Sequence, residues 1–496
     1  MKLGEVLSGI RLRRPEPPDL ANADVAGLEY DSRRVREGYL FFAFPGSRAD
    51  GRDFARAALE RGAVAVASES PAPAGLEGRW IEVDHGRQAL ARAARLFYGK
   101  PDEQVALTGI TGTNGKTTTG FLIDSVLRTA GLTTALVGTI EYHLAGRVLP
   151  AVNTTPESLD LIRLLAELRA EGGTHATMEV SSHALELGRV YGLRFHTAVF
   201  TNLTRDHLDF HGTMEAYFAA KQKLFAGSGA EPPAIAVLNR DDSYARSLQT
   251  GPETRVLWYG LGQDPDLRAL HISSGSQRLH FDVQFGKQRF AVESPLIGRI
   301  NVYNILAACG AGISYGLAPE TIARGIAALQ AVPGRFERVD EGQPFVVVVD
   351  YAHTPDALEN VIAVARGLNP KRVITLFGCG GDRDRTKRPL MGQAAAELSD
   401  FVVLTSDNPR SEDPLAIMND ALVGIRRVDK PHVVEPDRAA AIARALNEAR
   451  EGDLVILAGK GHETYQVLPD RTIPFDDRAV AREVLRGYGY HRPAEP

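Results

Sequence analysis

Cysteine is nearly absent from this chain: its 496 residues include two, Cys309 and Cys379. Two thiols in so long a chain argue against a disulfide scaffold and fit a reducing compartment. Neither has a second cysteine or a histidine at metal-ligand spacing, so we interpret both as buried thiols.

Long apolar runs and an excess of one charge are missing as well. No run of about 18 apolar residues occurs, and the first residues, MKLGEVLSGIRLRRPEPPD, have no apolar core of signal-peptide length. The formal net charge of -5 does not indicate a general surface for nucleic acid or membrane. We therefore expect a cytoplasmic protein without nucleic-acid partners or membrane insertion.

The sequence does contain a repeated alternation of β-favouring runs and helical stretches. Its length predicts about three domains, which we place at residues 1–97, 98–332 and 333–496. Runs such as VALTGI, THATMEV and FVVVVDYA are typical of buried strands, and the alternation favours largely parallel sheets. HISS, LHFDVQF and RFAVES alternate apolar and polar residues, as half-exposed antiparallel strands do. We predict an α/β protein whose ligands bind in loops after strand ends.

The segment ITGTNGKTTT, residues 110–119, lies between a predicted strand and a predicted helix. Its glycines allow a tight turn that brings backbone N–H groups close to phosphate, while Lys116 adds positive charge and Thr117 a hydroxyl for Mg²⁺. Ile110 replaces the usual first glycine, and Gly109 lies one residue too far away. We still predict a nucleotide site rather than an empty turn, and hence a P-loop ATPase-like central domain. The expected ATP contacts are Gly112, Thr113, Asn114, Gly115, Lys116, Thr117 and Thr118.

Three further segments of this domain carry charged or metal-binding side chains. Glu179 follows the strand-like run THATM, where a carboxylate suits a metal, although a surface glutamate is the alternative. RDHLDFHG, which includes His207, clusters histidine and aspartate as both metal sites and turns do. Lys221 lies on an amphipathic helix, where a lysine is usually solvated.

Taken together, these segments resemble the Mur ligase family. The matching motifs follow one another in order: DSRR (31–34), GSRADGRDF (46–54), GTNGKTT (112–118), NTTPE (153–157), MEVSSHAL (178–185), TNLTRDHLDFHGTMEAYFAAKQKLF (201–225), GRINVYNILAA (298–308), VPGRFE (332–337), VDYAHTPDAL (349–358), GCGGDRDRTKRPLMG (378–392), DNPRSEDP (407–414) and GKGHE (459–463). Single motifs arise by chance, but so long an ordered series does not. The resemblance implies a small nucleotide-sugar-binding first domain and a Rossmann-like, amino-acid-binding third domain.

The resemblance also implies a reaction. In this family ATP converts a carboxylate into an acyl phosphate, which an amine then attacks to form an amide in peptidoglycan precursor synthesis. Cations must surround ATP and the carboxylate, because two anions have to be held close together. Asn304, Arg335 and Asp350 would complete an ATP site between domains, and domain closure would complete the active site.

By the same resemblance, four residues are catalytic: Lys116, Glu179, His207 and Lys221. A first Mg²⁺ would be held by Thr117 and Glu179, and a second by His207 and Lys221. Lys221 would be carbamylated by CO₂. That chemistry requires a neutral amine, so desolvation or nearby positive charge must lower the pKa of the lysine.

The nucleotide-sugar substrate implied by the resemblance is UDP-MurNAc-L-Ala-D-Glu. NTT, residues 153–155, suits a polar ligand, but it also fits a helix N-cap before PESLDLIRLL. Leu187 departs from the glutamine of enterobacterial members, which puts that contact in doubt. The expected contacts are Tyr30, Ser32, Ser47, Arg48, Ala49, Asn153, Thr154, Thr155, Ser181, Leu187 and Arg189.

DNPR, residues 407–410, would alone be interpreted as a turn. Within the family it resembles members that add meso-diaminopimelate. That amino acid has a second carboxylate at its far end, which Arg410 could bind bidentately, whereas lysine has none and would leave the arginine unpaired. The expected contacts are Arg383, Asp407, Asn408, Pro409, Arg410, Gly459 and Glu463.

Three alternatives remain at this point: the L-lysine-adding type, a ligase resembling folylpolyglutamate synthase, and a non-catalytic structural relative. The presence of Lys116, Glu179, His207 and Lys221 argues against the last, and the DSRR-bearing first domain and DNPR argue against the second. We expect the protein to act as a monomer.

Overall fold

The computed structural model describes residues 1–46, 49–262, 264–275 and 278–491. The first part of the chain forms a four-stranded, fully parallel sheet in the order β1-β2-β3-β4. Its elements are α1 (Leu3–Val6), α2 (Pro18–Ala21), β1 (Gly27–Glu29), β2 (Tyr39–Ala43), α3 (Ala55–Glu60), β3 (Ala65–Ser68), β4 (Trp80–Glu82) and α4 (Gly86–Phe97).

The central part forms an eleven-stranded sheet in the order β15-β14-β13-β12-β11-β10-β5-β9-β6-β7-β8. Its strands are β5 (Ala106–Thr111), β6 (Thr134–Val137), β7 (Glu141–Leu144), β8 (Arg147–Pro150), β9 (His175–Glu179), β10 (Thr197–Phe200), β11 (Ile235–Asn239), β12 (Arg255–Gly260), β13 (Leu267–Ser274), β14 (Leu279–Phe285) and β15 (Gln288–Ser294). Its helices are α5 (Lys116–Thr129), α6 (Ser158–Ala170), α7 (Ser182–Glu186), α8 (Leu208–His211), α9 (Met214–Ala226), α10 (Ser243–Ser247), α11 (Arg299–Ser314) and α12 (Pro319–Ala328). The middle strands are parallel, and β13–β15 pair antiparallel as the sequence predicts.

The last part forms a six-stranded sheet in the order β16-β17-β21-β18-β19-β20, parallel except for β16, and a separate β22–β23 hairpin. Its strands are β16 (Glu337–Val339), β17 (Val346–Asp350), β18 (Val373–Phe377), β19 (Phe401–Thr405), β20 (His432–Glu435), β21 (Leu454–Ala458), β22 (Tyr465–Val467) and β23 (Thr472–Pro474). Its helices are α13 (Pro355–Gly367), α14 (Lys387–Leu398), α15 (Pro414–Val428), α16 (Arg438–Glu448) and α17 (Asp477–Gly487).

Burial explains why these runs become strands. All five residues of β18 and of β21 are buried, as expected for parallel strands covered by helices on both faces. One core is shared by the first sheet and the central domain, because Leu28 and Leu40 belong to the same apolar cluster as Leu161 in α6. The predicted α/β class with a mostly parallel central sheet is thus confirmed, while the exact domain limits stay predictions.

The two cysteines and the lack of long apolar runs have counterparts in the structure. Cys309 and Cys379 are buried free thiols, as predicted. Within the described ranges, no helix combines the length and the apolarity needed to cross a membrane.

Candidate active site

The phosphate loop connects β5 to α5 and depends on two glycines with positive φ. At Gly112 (φ 144°) a Cβ would overlap Thr201 Oγ1, and Gly115 (φ 86°) forms the N-cap of α5. Ile110 is a fully buried residue of β5, so the position of the usual first glycine belongs to the strand here. Residues 113–118 line a cavity, and the N-terminus of α5 therefore stands at its wall, where phosphate binds well.

Lys116 and Glu179 both make hydrogen bonds within residues 112–117. Lys116 Nζ donates to the carbonyl oxygens of Gly112 (3.0 Å) and Thr113 (2.8 Å), and burial lowers the pKa of this lysine. Glu179, at the end of β9, is 2% exposed and accepts from Thr117 Oγ1 (3.0 Å). The alternative of a surface glutamate is therefore wrong.

Lys221 is buried beside the same loop, with 1% of its surface exposed. Its Nζ donates to Gly112 O (2.8 Å) and lies 4.5 Å from the centre of the Tyr217 ring. Burial, reinforced by the charge of Lys116, lowers the pKa of Lys221 well below its usual range. The usual solvated position of a helical lysine is thus ruled out here, and a neutral amine is favoured.

Two histidines surround a carboxylate at the edge of the cavity. Asp206 Oδ2 lies 3.5 Å from His207 Nε2 and 4.0 Å from His353 Nε2. Desolvation lowers the pKa of both imidazoles, so they are neutral at pH 7. Neutral imidazole nitrogens can accept a proton or bind a metal ion.

The third domain supplies the opposite wall of the cavity. Arg335 donates through Nη2 to Thr117 Oγ1 (3.2 Å) and packs against the Tyr351 ring, 4.8 Å from its centre. Asp350, at the end of β17, accepts from the backbone N–H groups of Phe336 (2.7 Å) and Ala352 (2.8 Å), and burial raises its pKa. The structure therefore brings these predicted residues to the phosphate loop.

Direct hydrogen bonds join the loop to the third domain. Asn114 Nδ2 donates to Asp356 Oδ2 (2.6 Å), which also accepts from Thr204 Oγ1 (3.3 Å). Arg205 donates to Thr386 Oγ1 (2.6 Å). The cavity between the two domains measures about 250 Å³. Of the predicted ATP contacts it is lined by Thr113, Asn114, Gly115, Lys116, Thr117, Thr118, Asn304, Arg335 and Asp350.

A second cavity of about 180 Å³ is lined mainly by the third domain and also by Asp206, His207 and Asp209 of the central domain. Arg410 Nη1 donates to Gly381 O (2.9 Å), and Asn408 Nδ2 donates to Glu463 Oε2 (2.9 Å). Lys460, which is fully buried, also donates to Glu463 Oε2 (2.8 Å). Of the predicted amino-acid contacts, this cavity is lined by Arg383, Asp407, Asn408, Arg410, Gly459 and Glu463.

The two cavities meet. Both are lined by Asp206, His207, Tyr351 and His353. A group bound at the phosphate loop and a group bound beside Arg410 would therefore approach each other at these four side chains. This junction is the feature of the structure that joins two predicted sites into one.

The predicted nucleotide-sugar contacts lie where the first sheet meets α6. Tyr30 donates its hydroxyl to Asp160 of α6, and Ser32 begins a short 3₁₀ turn. Ala49 follows β2, whereas Ser47 and Arg48 lie outside the described residues. The first domain therefore contributes to this region through Tyr30 and its neighbours.

The predicted nucleotide-sugar contacts of the central domain lie around the loop after β9. Thr155 Oγ1 donates to Glu179 O (2.8 Å) and accepts from Ser181 N (3.1 Å), while Arg189 donates to Thr155 O (3.0 Å). The N-cap of α6 is Glu157, so the N-cap interpretation of NTT is wrong. The remaining members are Asn153, whose N–H donates to Tyr142 OH, Thr154, whose hydroxyl contacts that of Thr139, and Leu187, the C-cap of α7.

Sequence reasoning did not assign several residues of these cavities. Tyr351 and His353 lie directly after β17, and the rule that ligands bind after parallel strand ends would have found them. Lys387 also lines the second cavity. Its charged surroundings in GCGGDRDRTKRPLMG are typical of a surface loop, so the sequence carries no clear signal for it.

Oxygen donors suited to Mg²⁺ are present in part. Among the residues that the structure describes, no three His, Cys, Asp or Glu side chains form a metal-holding group. The Thr117 hydroxyl and the Glu179 carboxylate are 3.0 Å apart, and Mg²⁺ commonly uses one carboxylate together with substrate phosphates. This pair therefore fits a phosphate-bound Mg²⁺, and at His207 the neighbouring Asp206 carboxylate (3.5 Å) offers oxygen for a second ion.

Fold and site together define a three-part α/β protein with a phosphate loop and, beside it, a cavity lined by charged side chains. Family models match three segments: the Mur ligase family catalytic domain at residues 24–98, the Mur ligase middle domain at 110–312 and the Mur ligase glutamate ligase domain at 334–461. The chain belongs to the Mur ligase family. The resemblance identified from the sequence is thereby confirmed.

Individual members of the family are similar to this chain over nearly its whole length. A UDP-N-acetylmuramoyl-L-alanyl-D-glutamate--2,6-diaminopimelate ligase from Solibacter usitatus is 75% identical over 99% of this chain and 100% of its own. A solved structure of a ligase with that name superposes with a TM-score of 0.69, at 33% identity over 99% of both chains. The MurF ligase of Thermotoga maritima, solved in complex with ADP, shares the fold with a TM-score of 0.63, at 20% identity over 94% of this chain and 96% of its own.

Proposed function

We propose that this ligase joins meso-diaminopimelate to UDP-MurNAc-L-Ala-D-Glu at the expense of ATP, in peptidoglycan precursor synthesis. The Solibacter usitatus relative is named for the reaction of these two substrates. The observation that carries the proposal is the junction of the two cavities at Asp206, His207, Tyr351 and His353. Two reactants bound on either side of this junction would be held in reach of each other, which removes much of the entropic cost of their encounter.

The chain's own groups suit an acyl-phosphate route. A substrate carboxylate oxygen bonds to the terminal phosphorus of ATP, the bond from that phosphorus to the bridging oxygen breaks, and ADP leaves. The amine of the amino acid then attacks the carbonyl carbon, the C–O bond to phosphate breaks, and phosphate leaves. Lys116, Arg335 and the N-terminus of α5 would offset the charge of the phosphates. A Mg²⁺ held by Thr117 and Glu179 would add further positive charge when bound. The neutral imidazole of His353 could accept the proton that the amine releases.

We also propose that Lys221 is carbamylated and completes a second Mg²⁺ site with His207. A neutral amine attacks the carbon of CO₂, an N–C bond forms, and one proton is lost to water. Burial lowers the pKa of Lys221 as this step requires, and the side chain already points to the phosphate loop through its bond to Gly112 O (2.8 Å). The product is a carboxylate-like group, an oxygen ligand that an unmodified lysine lacks.

Replacing this lysine tests the carbamate. Lys221→Ala should lose most activity, and added short-chain carboxylates should restore part of it by occupying the space of the carbamate. Lys223→Ala is the matched control, because Lys223 lies on the same helix with its side chain paired to Glu186 at the surface. Full activity of Lys221→Ala without any added carboxylate would disprove the role.

The substrates are tested by phosphate release from ATP. Purified protein is mixed with ATP, Mg²⁺ and UDP-MurNAc-L-Ala-D-Glu, and meso-diaminopimelate, L-lysine or no amino acid is added. We expect release that depends on both the nucleotide sugar and diaminopimelate, and none in Lys116→Met. Preference for L-lysine would identify the lysine-adding type, and no release with any amino acid would favour a non-catalytic relative.

Finally, we infer which ligand each domain binds. Residues 1–97 would bind the nucleotide part of the sugar substrate, 98–332 would bind ATP, and 333–496 would bind the amino acid. We expect the protein to act as a monomer in the cytoplasm. Light scattering at assay concentrations checks the monomer, and a dimer mass would contradict it.

A further inference from the structure

Lys387 differs from the other buried lysine and arginine side chains of the described chain. Lysine or arginine is buried at positions 221, 387, 388, 438 and 460. Four of the five have partners: Lys221 donates to a carbonyl oxygen, and the other three form ion pairs with carboxylates. Lys387 is 7% exposed, yet among the described residues its Nζ has no hydrogen-bond acceptor and no carboxylate within 4.0 Å. A largely buried lysine that lines a cavity without a protein partner can pair with an anion bound in that cavity.

The start of α14 adds to this positive charge. Lys387 is the first residue of this 12-residue helix, the N-cap residue Thr386 makes no side-chain capping bond, and the first turn contains no acidic residue. A helix N-terminus favours an anion, so cations there are unfavourable unless something balances them. The neighbouring Arg388 is balanced by Glu412 (2.8 Å) and Asp420 (2.9 Å). Among the described residues, no carboxylate balances the positive charge of Lys387 or that of the N-terminus of α14.

The position of Lys387 shows where its ligand would lie. It lines the 180 Å³ cavity together with Arg410, but it is not among the residues that line the phosphate cavity. Burial lowers the pKa of His353, and the charge of Lys387 lowers it further, so Lys387 stands close to the junction of the cavities. An anion at Lys387 would therefore sit between the phosphate site and Arg410.

We propose that Lys387 and the N-terminus of α14 bind the carboxylate next to the attacking amine of the incoming amino acid. This inference rests on the proposed function. Diaminopimelate carries a carboxylate at each end, and Arg410 is our predicted ligand for the far one. The near carboxylate must lie towards the junction, where the amine meets the acyl phosphate, and Lys387 lines this cavity close to His353 without a protein partner among the described residues. The phosphoryl group of the acyl phosphate offers similar oxygen chemistry, and the experiment separates the two.

The test compares two amino acids and four variants, of which Lys387→Gln serves the unfolding measurement. L-Lysine keeps the carboxylate beside the attacking amine and lacks the far one. Lys387→Met removes the charge at similar volume, Lys387→Arg keeps it, and Lys371→Met removes a charge from an exposed position of the same domain. We expect Lys387→Met to raise KM for both amino acids by the same factor, about 10- to 100-fold, as expected for one lost charged hydrogen bond. KM for ATP should stay unchanged, Lys387→Arg should recover part of the loss, and Lys371→Met should match the wild type.

Thermal unfolding gives an independent readout. Removing an unpaired buried charge should leave the unfolding temperature of the unliganded protein unchanged or raise it, although activity falls. A merely structural lysine would show the reverse, and a lowered unfolding temperature in Lys387→Met and in Lys387→Gln would overturn the inference. Lys387→Gln is included because it keeps a polar group in the cavity.

Each kinetic outcome has one meaning. Without diaminopimelate-dependent phosphate release in the wild type, the proposed function fails whatever Lys387 does. An active wild type with an unchanged KM in Lys387→Met overturns the inference alone. Acyl-phosphate formation, measured without amino acid by borohydride trapping, separates the two anions. A loss in that partial reaction without a change in KM for diaminopimelate would assign Lys387 to the phosphoryl group and overturn the carboxylate.

Discussion

Arg410→Ala should convert a diaminopimelate-selective enzyme into one that barely distinguishes diaminopimelate from L-lysine. Arg410 lies half-buried in the second cavity, and its Nη1 is already bonded to Gly381 O (2.9 Å). Among the residues that the structure describes, Nε and Nη2 have no acceptor. These two atoms form one side of the guanidinium fork, the geometry that binds a carboxylate through two parallel bonds.

The size of the effect follows from this geometry. Truncating one partner of a buried, hydrogen-bonded charge pair costs about 2–5 kcal/mol. Because Arg410 is only half-buried, we take the lower part of this range, about 2–4 kcal/mol, which corresponds to about a 30- to 700-fold loss in kcat/KM for diaminopimelate. L-Lysine has no far carboxylate to lose, so its kcat/KM should stay the same or rise, and the specificity ratio should fall by the same factor.

The assay is phosphate release with each amino acid varied at saturating ATP and nucleotide sugar. Arg410→Lys keeps the charge but not the fork, and it should fall between wild type and alanine. Arg444→Ala, an exposed arginine of the same domain, is the control for loss of charge. If Arg410→Ala lowers activity with both amino acids equally, Arg410 does not bind the far carboxylate and the reasoning is refuted.

Two further substitutions test the phosphate site. Gly112→Ala should lower activity by more than about tenfold and stability by about 1–3 kcal/mol, because its Cβ would overlap Thr201 Oγ1. ADP binding by calorimetry and thermal unfolding measure both effects, and unchanged ADP affinity would contradict the expectation. Asp356→Ala should raise KM for ATP by about tenfold through loss of the 2.6 Å bond from Asn114 that joins the domains. Asp470→Ala, an exposed control, should not, and equal KM values in the two variants would exclude this role.

Local patterns in the sequence predicted the parts of the site that depend on backbone shape. GTNGKTT does form a loop between a strand and a helix, since glycine at positions 112 and 115 adopts the positive φ that the turn requires. Asp350 and Glu179 lie at the ends of β17 and β9, as their places after apolar runs predicted. These features follow from a few neighbouring residues, so they can be predicted from the sequence without any knowledge of distant contacts.

The general expectation that helical lysines are solvated is wrong for Lys221, and the apolar pattern of its own helix indicates why. Helical lysines are usually solvated, but the buried positions of α9 are Tyr217, Ala220, Lys221, Leu224 and Phe225. Their spacing of three and four residues is that of one helix face. The lysine therefore lies within the apolar stripe, and the periodicity of the sequence contains this information.

Lys387 and Asp356 could not be found in this way, because their surroundings come from distant parts of the chain. Asp356 accepts a bond from Asn114, 242 positions earlier. Lys387 stands in a segment rich in charge, and only the packing of α14 next to the cavity separates it from the exposed Arg385 in the same segment. Sequence spacing carries no record of such contacts, since they depend on how one sheet is placed against another.

The placement of the sheets also explains why the reacting groups can meet. The phosphate loop and Glu179 follow β5 and β9, which are parallel neighbours, so both lie at one edge of the central sheet. Asp350, Asn408 and Gly459 follow β17, β19 and β21 in the parallel part of the third sheet. Carboxyl-end loops of two separate sheets therefore face each other across the cavities. A single sheet would offer one such edge. Two opposed edges can hold the phosphate donor on one side of the substrate carboxylate and the attacking amine on the other.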